Sequence, residues 1–275
     1  MTKDIFKSPD LQKQFRKQGY AIVSLLNAEE IEQLEKVYSL QESSSEVQLP
    51  FYTSIWSDNV QYKESVDAEL KKILVAALSK HLIDCSPVFA NFMVKMPGDN
   101  SQLIPHQDWS FVDETKYDSV TVWCPLVNVN ETNGNLQVIP CSHRLKNLVR
   151  GRFFDAPFQH LLNDVIVSNL KSLPLRAGEA IILNSRLIHA SPPNRSSSVR
   201  VVASVVMVPH EAELVHYVLE DRQAKASFKK LHVTSRFFTD FSCYDSLESL
   251  KSEEKFPYQF REMTREELAS TVGLR

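Results

Sequence analysis

Pro105-His106-Gln107-Asp108-Trp109 is the stretch on which the reading of this chain turns. On extended backbone, side chains two residues apart leave the same face, so His106 and Asp108 can grip one metal ion together. A His-x-Asp pair alone is a weak signal, because most such pairs in globular proteins are solvated or satisfied structural groups. A third ligand is offered by His189, in Leu187-Ile188-His189-Ala190-Ser191. Two histidines and one carboxylate that leave coordination positions open are the facial set of non-haem Fe(II) sites.

Arg200 follows His189 within Val199-Arg200-Val201-Val202-Ala203-Ser204-Val205-Val206, a run apolar enough to be a central strand. An arginine buried in such a strand is costly without an anion. Its planar fork suits a carboxylate held bidentately. A bound ligand, one of the chain's own acids or plain exposure to water would each satisfy it. The intervening turn Pro192-Pro193-Asn194-Arg195-Ser196 predicts a hairpin that brings His189 and Arg200 to one end of a barrel. Trp123 is there either an aromatic wall or a core residue.

Around these residues the hydrophobic period is that of strands. Strands are expected at 88–96, around His106, and at 119–129, 135–139, 165–167, 180–183, 187–189 and 199–208, with Asn133-Gly134-Asn135-Leu136 as a hairpin signal. Many short strands separated by turn residues argue a β-sandwich or jelly roll. Upstream the period is helical. Ser8-Pro9 opens a helix that Gly19 stops, residues 20–23 form a short strand, Asn27 and Glu30 cap a second helix, and 64–83 carry a third apolar stripe. Residues 41–47, rich in Ser and Glu, read as an exposed loop that could close over a site. Downstream, 212–226 and 246–255 read as helical, and Met263-Thr264-Arg265-Glu266-Glu267 as a late helix start.

The 275 residues, 31.4 kDa and 43% apolar content suffice for one substantial core with peripheral helices. A formal charge of −3 and a pI near 6.3 give no electrostatic footprint for nucleic acid or an anionic membrane. A small molecule is the expected partner, and no residue pattern specifies an oligomeric state. Cys85, Cys124, Cys141 and Cys243 are too scattered for a disulfide framework and read as reduced thiols. With no apolar leader and no run long enough to cross a bilayer, a cytoplasmic location is expected.

The chain resembles the phytanoyl-CoA dioxygenase family of Fe(II)- and 2-oxoglutarate-dependent oxygenases from about Phe15 to Pro209. The resemblance is carried by His106-Gln107-Asp108, by Asn133-Gly134-Asn135-Leu136-Gln137-Val138-Ile139-Pro140-Cys141-Ser142-His143, by Leu175-Arg176-Ala177-Gly178-Glu179, and by His189-Ala190-Ser191-Pro192-Pro193-Asn194 with Arg200 at the family's distance. It implies an α+β, mainly β fold with a double-stranded β-helix (jelly-roll, cupin-like) core at about 86–209. N-terminal helices from 9–83 would pack outside it, followed by an extension over 210–275, all as one domain. It implies further that His106, Asp108 and His189 bind Fe(II), that Arg200 pairs with the distal carboxylate of 2-oxoglutarate, and that Ser191, Trp123 and Asn91 line the cosubstrate pocket.

The implied reaction consumes O2 and releases succinate and CO2. With aspartate rather than a small residue at the carboxylate position, hydroxylation of a small molecule (a natural product, amino-acid derivative or acyl compound) is the implied outcome. Desaturation, epoxidation and cyclisation draw on the same chemistry. Trp109 and Phe111, with Phe153 and Phe154, are candidate substrate contacts or plain packing aromatics. Cys141 stands where the family has glycine, which puts that turn in question. His81, His143, His160, His210, His216 and His232 read as surface or satisfied groups. The rivals are a metal-retaining, cupin-like binding or sensing protein without turnover, and a Zn(II)- or Mn(II)-dependent hydrolase or isomerase.

Overall fold

The first helix, α1 (Pro9–Gln18), starts where Ser8 accepts a bond from the Leu11 amide and ends where Gly19 turns to φ 86°, a left-handed conformation that glycine adopts without steric cost. In this computed structural model, which describes residues 3–42, 49–145, 149–220, 227–240 and 254–273, β1 (Tyr20–Ser24) and α2 (Ala28–Glu42) follow. Asn27 and Glu30 exchange side-chain-to-amide bonds of 2.9 and 2.8 Å at the start of α2, the capping box that the sequence predicts. β2 (Phe51–Thr53) leads into α3 (Val60–Leu78), which buries Val66, Leu70 and Leu74.

Antiparallel strands then fill the middle of the chain: β3 (Cys85–Lys95), β4 (Leu103–His106), β5 (Val120–Pro125), β6 (Leu136–Val138), β7 (Lys171–Leu173), β8 (Glu179–Asn184), β9 (His189–Ser191) and β10 (Arg200–Pro209). They form a six-stranded sheet in the order β1-β8-β5-β10-β3-β2 and a four-stranded sheet in the order β4-β9-β6-β7. Alternate residues of the larger sheet serve different layers. Val122, Cys124, Ala203 and Val205 cluster with Leu34, Leu70 and Leu74 of the helices. Trp123, Ile181, Leu183 and Val202 cluster with Leu136, Val138 and Leu173 of the smaller sheet. Every residue of β5 and β10 is therefore buried, which is why these strands read as continuous apolar runs rather than alternating ones.

A third sheet, β11 (Val215–Leu219), β12 (Ser227–His232) and β13 (Glu254–Pro257), is accompanied by α4 (Ser235–Asp240) and α5 (Arg265–Val272). Thr264 and Glu267 form a capping box at α5, where the sequence predicts a late helix start. Among the described residues no helix is long and apolar enough to cross a membrane. Cys85, Cys124 and Cys141 are free thiols, and Cys243 lies outside the described residues.

Several expectations are corrected. The third helix begins at Val60, where Asn59 caps it, and ends at Leu78 rather than spanning 64–83. Residues 165–167 belong to a run of short π- and 3-10-helical turns, and the strand comes later, at β7. Residues 212–220 of the expected 212–226 helix are not helical, and 221–226 lie outside the described residues: Val215 to Leu219 pair with β12, because the β-branched and aromatic side chains there find a cross-strand partner. Residues 43–47 of the expected loop and 246–253 of the expected helix lie outside the described residues, while 41–42 end α2 and 254–255 start β13. The Asn133-Gly134 turn forms, but β5 and β6 on either side belong to different sheets, so it is a crossover and not a hairpin. Cys141 does adopt φ 71°, the left-handed conformation that a glycine would favour.

Gly19 combines its positive φ with a close approach: a Cβ there would lie 2.5 Å from Nδ1 of His143 and 2.7 Å from Cδ1 of Leu187. Gly19→Ala is expected to destabilise the protein by about 2 kcal/mol, because alanine is strained in the left-handed conformation and the buried His143 and Leu187 side chains must shift to admit its Cβ. Chemical denaturation of the two proteins measures it.

Candidate metal centre

The pairing of β4 with β9 places His106 directly opposite His189. Facing residues of an antiparallel pair are close enough for their side chains to meet, and the two imidazole centroids stand 4.2 Å apart. Asp108, just past the end of β4, reaches the same point: its Oδ1 is 3.9 Å from Nε2 of His106 and 3.6 Å from Nε2 of His189. One potential ligand atom from each residue lies within 4.8 Å of the others.

The atoms not aimed at that point are occupied. Nδ1 of His106 is 2.8 Å from the Ile104 carbonyl and Nδ1 of His189 is 2.9 Å from the Leu187 carbonyl, so each Nδ1–H donates to backbone and leaves the Nε2 lone pair free. Thr121 donates to Oδ2 of Asp108 at 2.6 Å, leaving Oδ1 free. Desolvation and the neighbouring His189 hold the His106 pKa below its ordinary value, which favours the neutral form of the imidazole that binds metals. The donor set and its orientation thus fit a divalent cation held on one face.

Arg150, which sequence reasoning missed, holds the loop that carries Asp108. Its Nε donates to the Asp108 carbonyl at 2.7 Å, and its two terminal nitrogens grip Glu114 at 2.9 and 2.6 Å. No sequence pattern marks it, because its partners lie about forty residues upstream.

Arg200 heads β10 and is 1% exposed. Its guanidinium lies 5.5 Å from the Trp123 ring, one Nη donates to the Met93 carbonyl at 3.4 Å, and Nε has no partner. Among the described residues no carboxylate pairs with it, and burial lowers its pKa to about 9. With His106, Asp108, His189, Trp123 and Ser191 it lines a small inner recess, whose cationic end fits a carboxylate. Lys95, directly opposite Arg200 on β3 and fully buried, donates to the carbonyls of Ser191 (2.8 Å) and Pro192. Burial and the Arg200 charge push its pKa down to about 6.

His189 and Arg200 do come to one place, but not through a hairpin. β9 and β10 lie in different sheets, and the turn between them crosses over, pinned by Asn194, whose side-chain amide donates to the carbonyls of Lys95 (3.0 Å) and Ser198 (2.8 Å). Asn91 lines a second cavity, of about 320 Å³, rather than the recess. Trp109 and Phe111 line that cavity too, whereas Phe153 supports Arg152 from outside and Phe154 packs on Phe228 and Tyr258. His216, read from the sequence as surface or satisfied, is buried and walls the same cavity. His143, by contrast, is the structural group expected, 3.2 Å from the Arg16 carbonyl beneath α1.

The profile of the phytanoyl-CoA dioxygenase family matches residues 15–202. Among curated proteins, the chain is 28% identical over 122 residues to phytanoyl-CoA dioxygenase 1 of Oryza sativa subsp. japonica and 32% identical over 123 residues to phytanoyl-CoA dioxygenase of Arabidopsis thaliana. Those matches span 44% and 42% of this chain but only 43% and 42% of the plant proteins' own lengths. Among solved structures, the 2-oxoglutarate-dependent carbocyclase SnoK of nogalamycin biosynthesis is similar at a TM-score of 0.56 and 19% identity, over 75% of this chain and 86% of that one. HygX of Streptomyces hygroscopicus, solved with nickel and 2-oxoglutarate, is similar at a TM-score of 0.54 and 13% identity, over 74% and 88%. At these identities the structures share the fold.

Arg150→Met, which keeps the length of the side chain but removes its donors, is expected to weaken divalent-metal affinity about 10- to 100-fold, the range found for groups that orient ligands. Calorimetric titration with Mn(II) or Co(II) measures it, with Glu114→Gln falling in between.

Proposed function

The chain belongs to the phytanoyl-CoA dioxygenase family, and from that premise we propose that it is an Fe(II)- and 2-oxoglutarate-dependent oxygenase that hydroxylates a small molecule. The observation that carries the reading is the convergence of His106, Asp108 and His189 beside a buried Arg200 that has no acidic partner among the described residues. A metal site alone would suit a binding protein or a hydrolase; the arginine beside it asks for an organic acid as well.

In this reading the two facing sheets are a double-stranded β-helix, and the whole of 1–275 is one domain with a helical N-terminal part and a C-terminal extension. His106, Asp108 and His189 hold Fe(II), with Thr121 and the Ile104 and Leu187 carbonyls fixing which atoms they present. Arg200 receives the distal carboxylate of 2-oxoglutarate, Trp123 packs against its guanidinium and Ser191 lines the same recess. When bound, the iron, the cosubstrate and O2 together supply the oxidation, with succinate and CO2 as co-products. The chain's own contribution is placement and the exclusion of water. Asn91, Trp109 and Phe111, on the wall of the larger cavity, face the substrate.

His106→Ala and Asp108→Ala are each expected to abolish succinate formation from 2-oxoglutarate under air with Fe(II); full turnover in either variant defeats the proposal. Arg200→Ala is expected to raise the KM for 2-oxoglutarate at least tenfold while Mn(II) affinity, read by calorimetry, stays within about twofold. That tenfold corresponds to about 1.4 kcal/mol, modest beside the 2–5 kcal/mol typical of a desolvated charge pair.

A further inference from the structure

The larger cavity has a composition that the metal chemistry does not explain. Phe89, Phe111 and Phe238 form a ring cluster with centroids 5.8, 5.4 and 5.5 Å apart, and Phe51 meets Trp56 at 5.6 Å. Aromatic walls of this kind favour a flat or cyclic apolar body. At about 320 Å³ the space is at the small end of ligand cavities, so the body is compact.

Two polar groups interrupt that wall on the side of β11. Arg152 is the one cation among the described residues lining the cavity, with its guanidinium 4.7 Å from the Phe153 ring. The backbone fixes its place: its amide donates to the Tyr217 carbonyl at 3.0 Å, and it forms a parallel bridge with Val218. His216, on the same strand, is 2% exposed, with its ring 5.0 Å from Trp109 and 5.1 Å from Phe237. Burial and the Arg152 charge push the His216 pKa down to about 4, so the imidazole is neutral and has one donor and one acceptor. Trp109, whose ring meets His216, directly follows Asp108, and His106 and Asp108 line the same cavity as this pair.

We propose that the cavity selects a compact anion: a free carboxylate or phosphoryl compound whose aromatic or alicyclic body lies on the ring wall, with Arg152 and His216 holding the charged group. Holding the anion there aims the far end of the body at the triad. The proposal rests on the oxygenase reading only for what happens to that end. It sets the substrate apart from esters, amides and carrier thioesters, in which the carboxylate is no longer charged.

Calorimetry on the full chain with 1-naphthoate, 1-naphthylphosphonate, 1-naphthamide and 1-naphthoyl-CoA tests it. The expected result is that at least one of the two free anions binds tenfold or more tightly than the amide; which anion is tighter identifies the charged group. Arg152→Gln is expected to erase that preference, Arg152→Lys to keep part of it, and Arg200→Ala to leave it in place. The proposal is overturned if acid and amide bind equally, if the thioester binds more tightly than both free anions, if the preference survives Arg152→Gln or vanishes in Arg200→Ala, or if none of the four binds. Conversion of 2-oxoglutarate to succinate by the unaltered protein is assayed separately, so a failed oxygenase reading leaves the binding result standing, and the reverse holds.

Discussion

The cross-strand register of β4 and β9 is the constraint on which the site depends. Because His106 faces His189 across that pair, their approach is set by the backbone ladder and not by two independent loops. A slip of one residue would send one imidazole to the opposite face of the sheet. The register is secured from outside the pair. β9 is hydrogen-bonded on its other edge to β6, with His189 opposite Val138, and Lys95 bonds the Ser191 and Pro192 carbonyls from the larger sheet. A buried lysine is a costly device. Here it ties the two sheets together beside the triad by donating to carbonyl oxygens, and burial with the nearby Arg200 charge favours its neutral form.

What could be seen in the sequence follows from range. Local signals are readable: Ser8 and Gly19 at the ends of α1, the Asn27–Glu30 capping box, the helix start at Met263–Glu267 and the His106-Gln107-Asp108 spacing each depend on residues within one or two turns of chain. The buried strands β5 and β10 announced themselves as apolar runs because both of their faces are covered. Pairing between distant segments was not readable. The turns after Asn133 and after Pro192 carry the residues of hairpins, yet the strands they join go to different sheets, since turn chemistry fixes the local bend and not the partner of the strand beyond it. The 215–219 segment has helical-looking spacing and becomes a strand because β12 lies beside it.

The same limit explains which site residues were missed. Arg150 acts on Asp108 and Glu114, and Lys95 acts on Ser191 and Pro192, across about forty and a hundred residues of chain respectively. His216 lies on a strand that the sequence reads as helix, so its burial against Trp109 had no precursor in the pattern. The three clustered residues His106, Asp108 and His189 are legible because two short motifs carry them. The groups that orient them are scattered.

Two cavities of opposite character meet at the triad, sharing Phe51, Met93, Leu103, His106 and Asp108 as common lining. The inner recess ends in Arg200, close to Lys95; the larger one is walled by rings, with Arg152 and His216 at its side. Burying Arg200 without an acid lowers the stability of the empty protein, and a ligand that supplies the anion returns that stability on binding. The recess therefore favours occupation by a carboxylate before anything enters the ring-walled cavity, since the desolvated charge is already in place and a pre-organised donor loses little freedom when its partner arrives. The outer cavity is walled mainly by rings and other apolar side chains. Its apolar walls gain from any body that displaces water, so discrimination there falls to the few polar groups on the wall and to the shape the rings leave open.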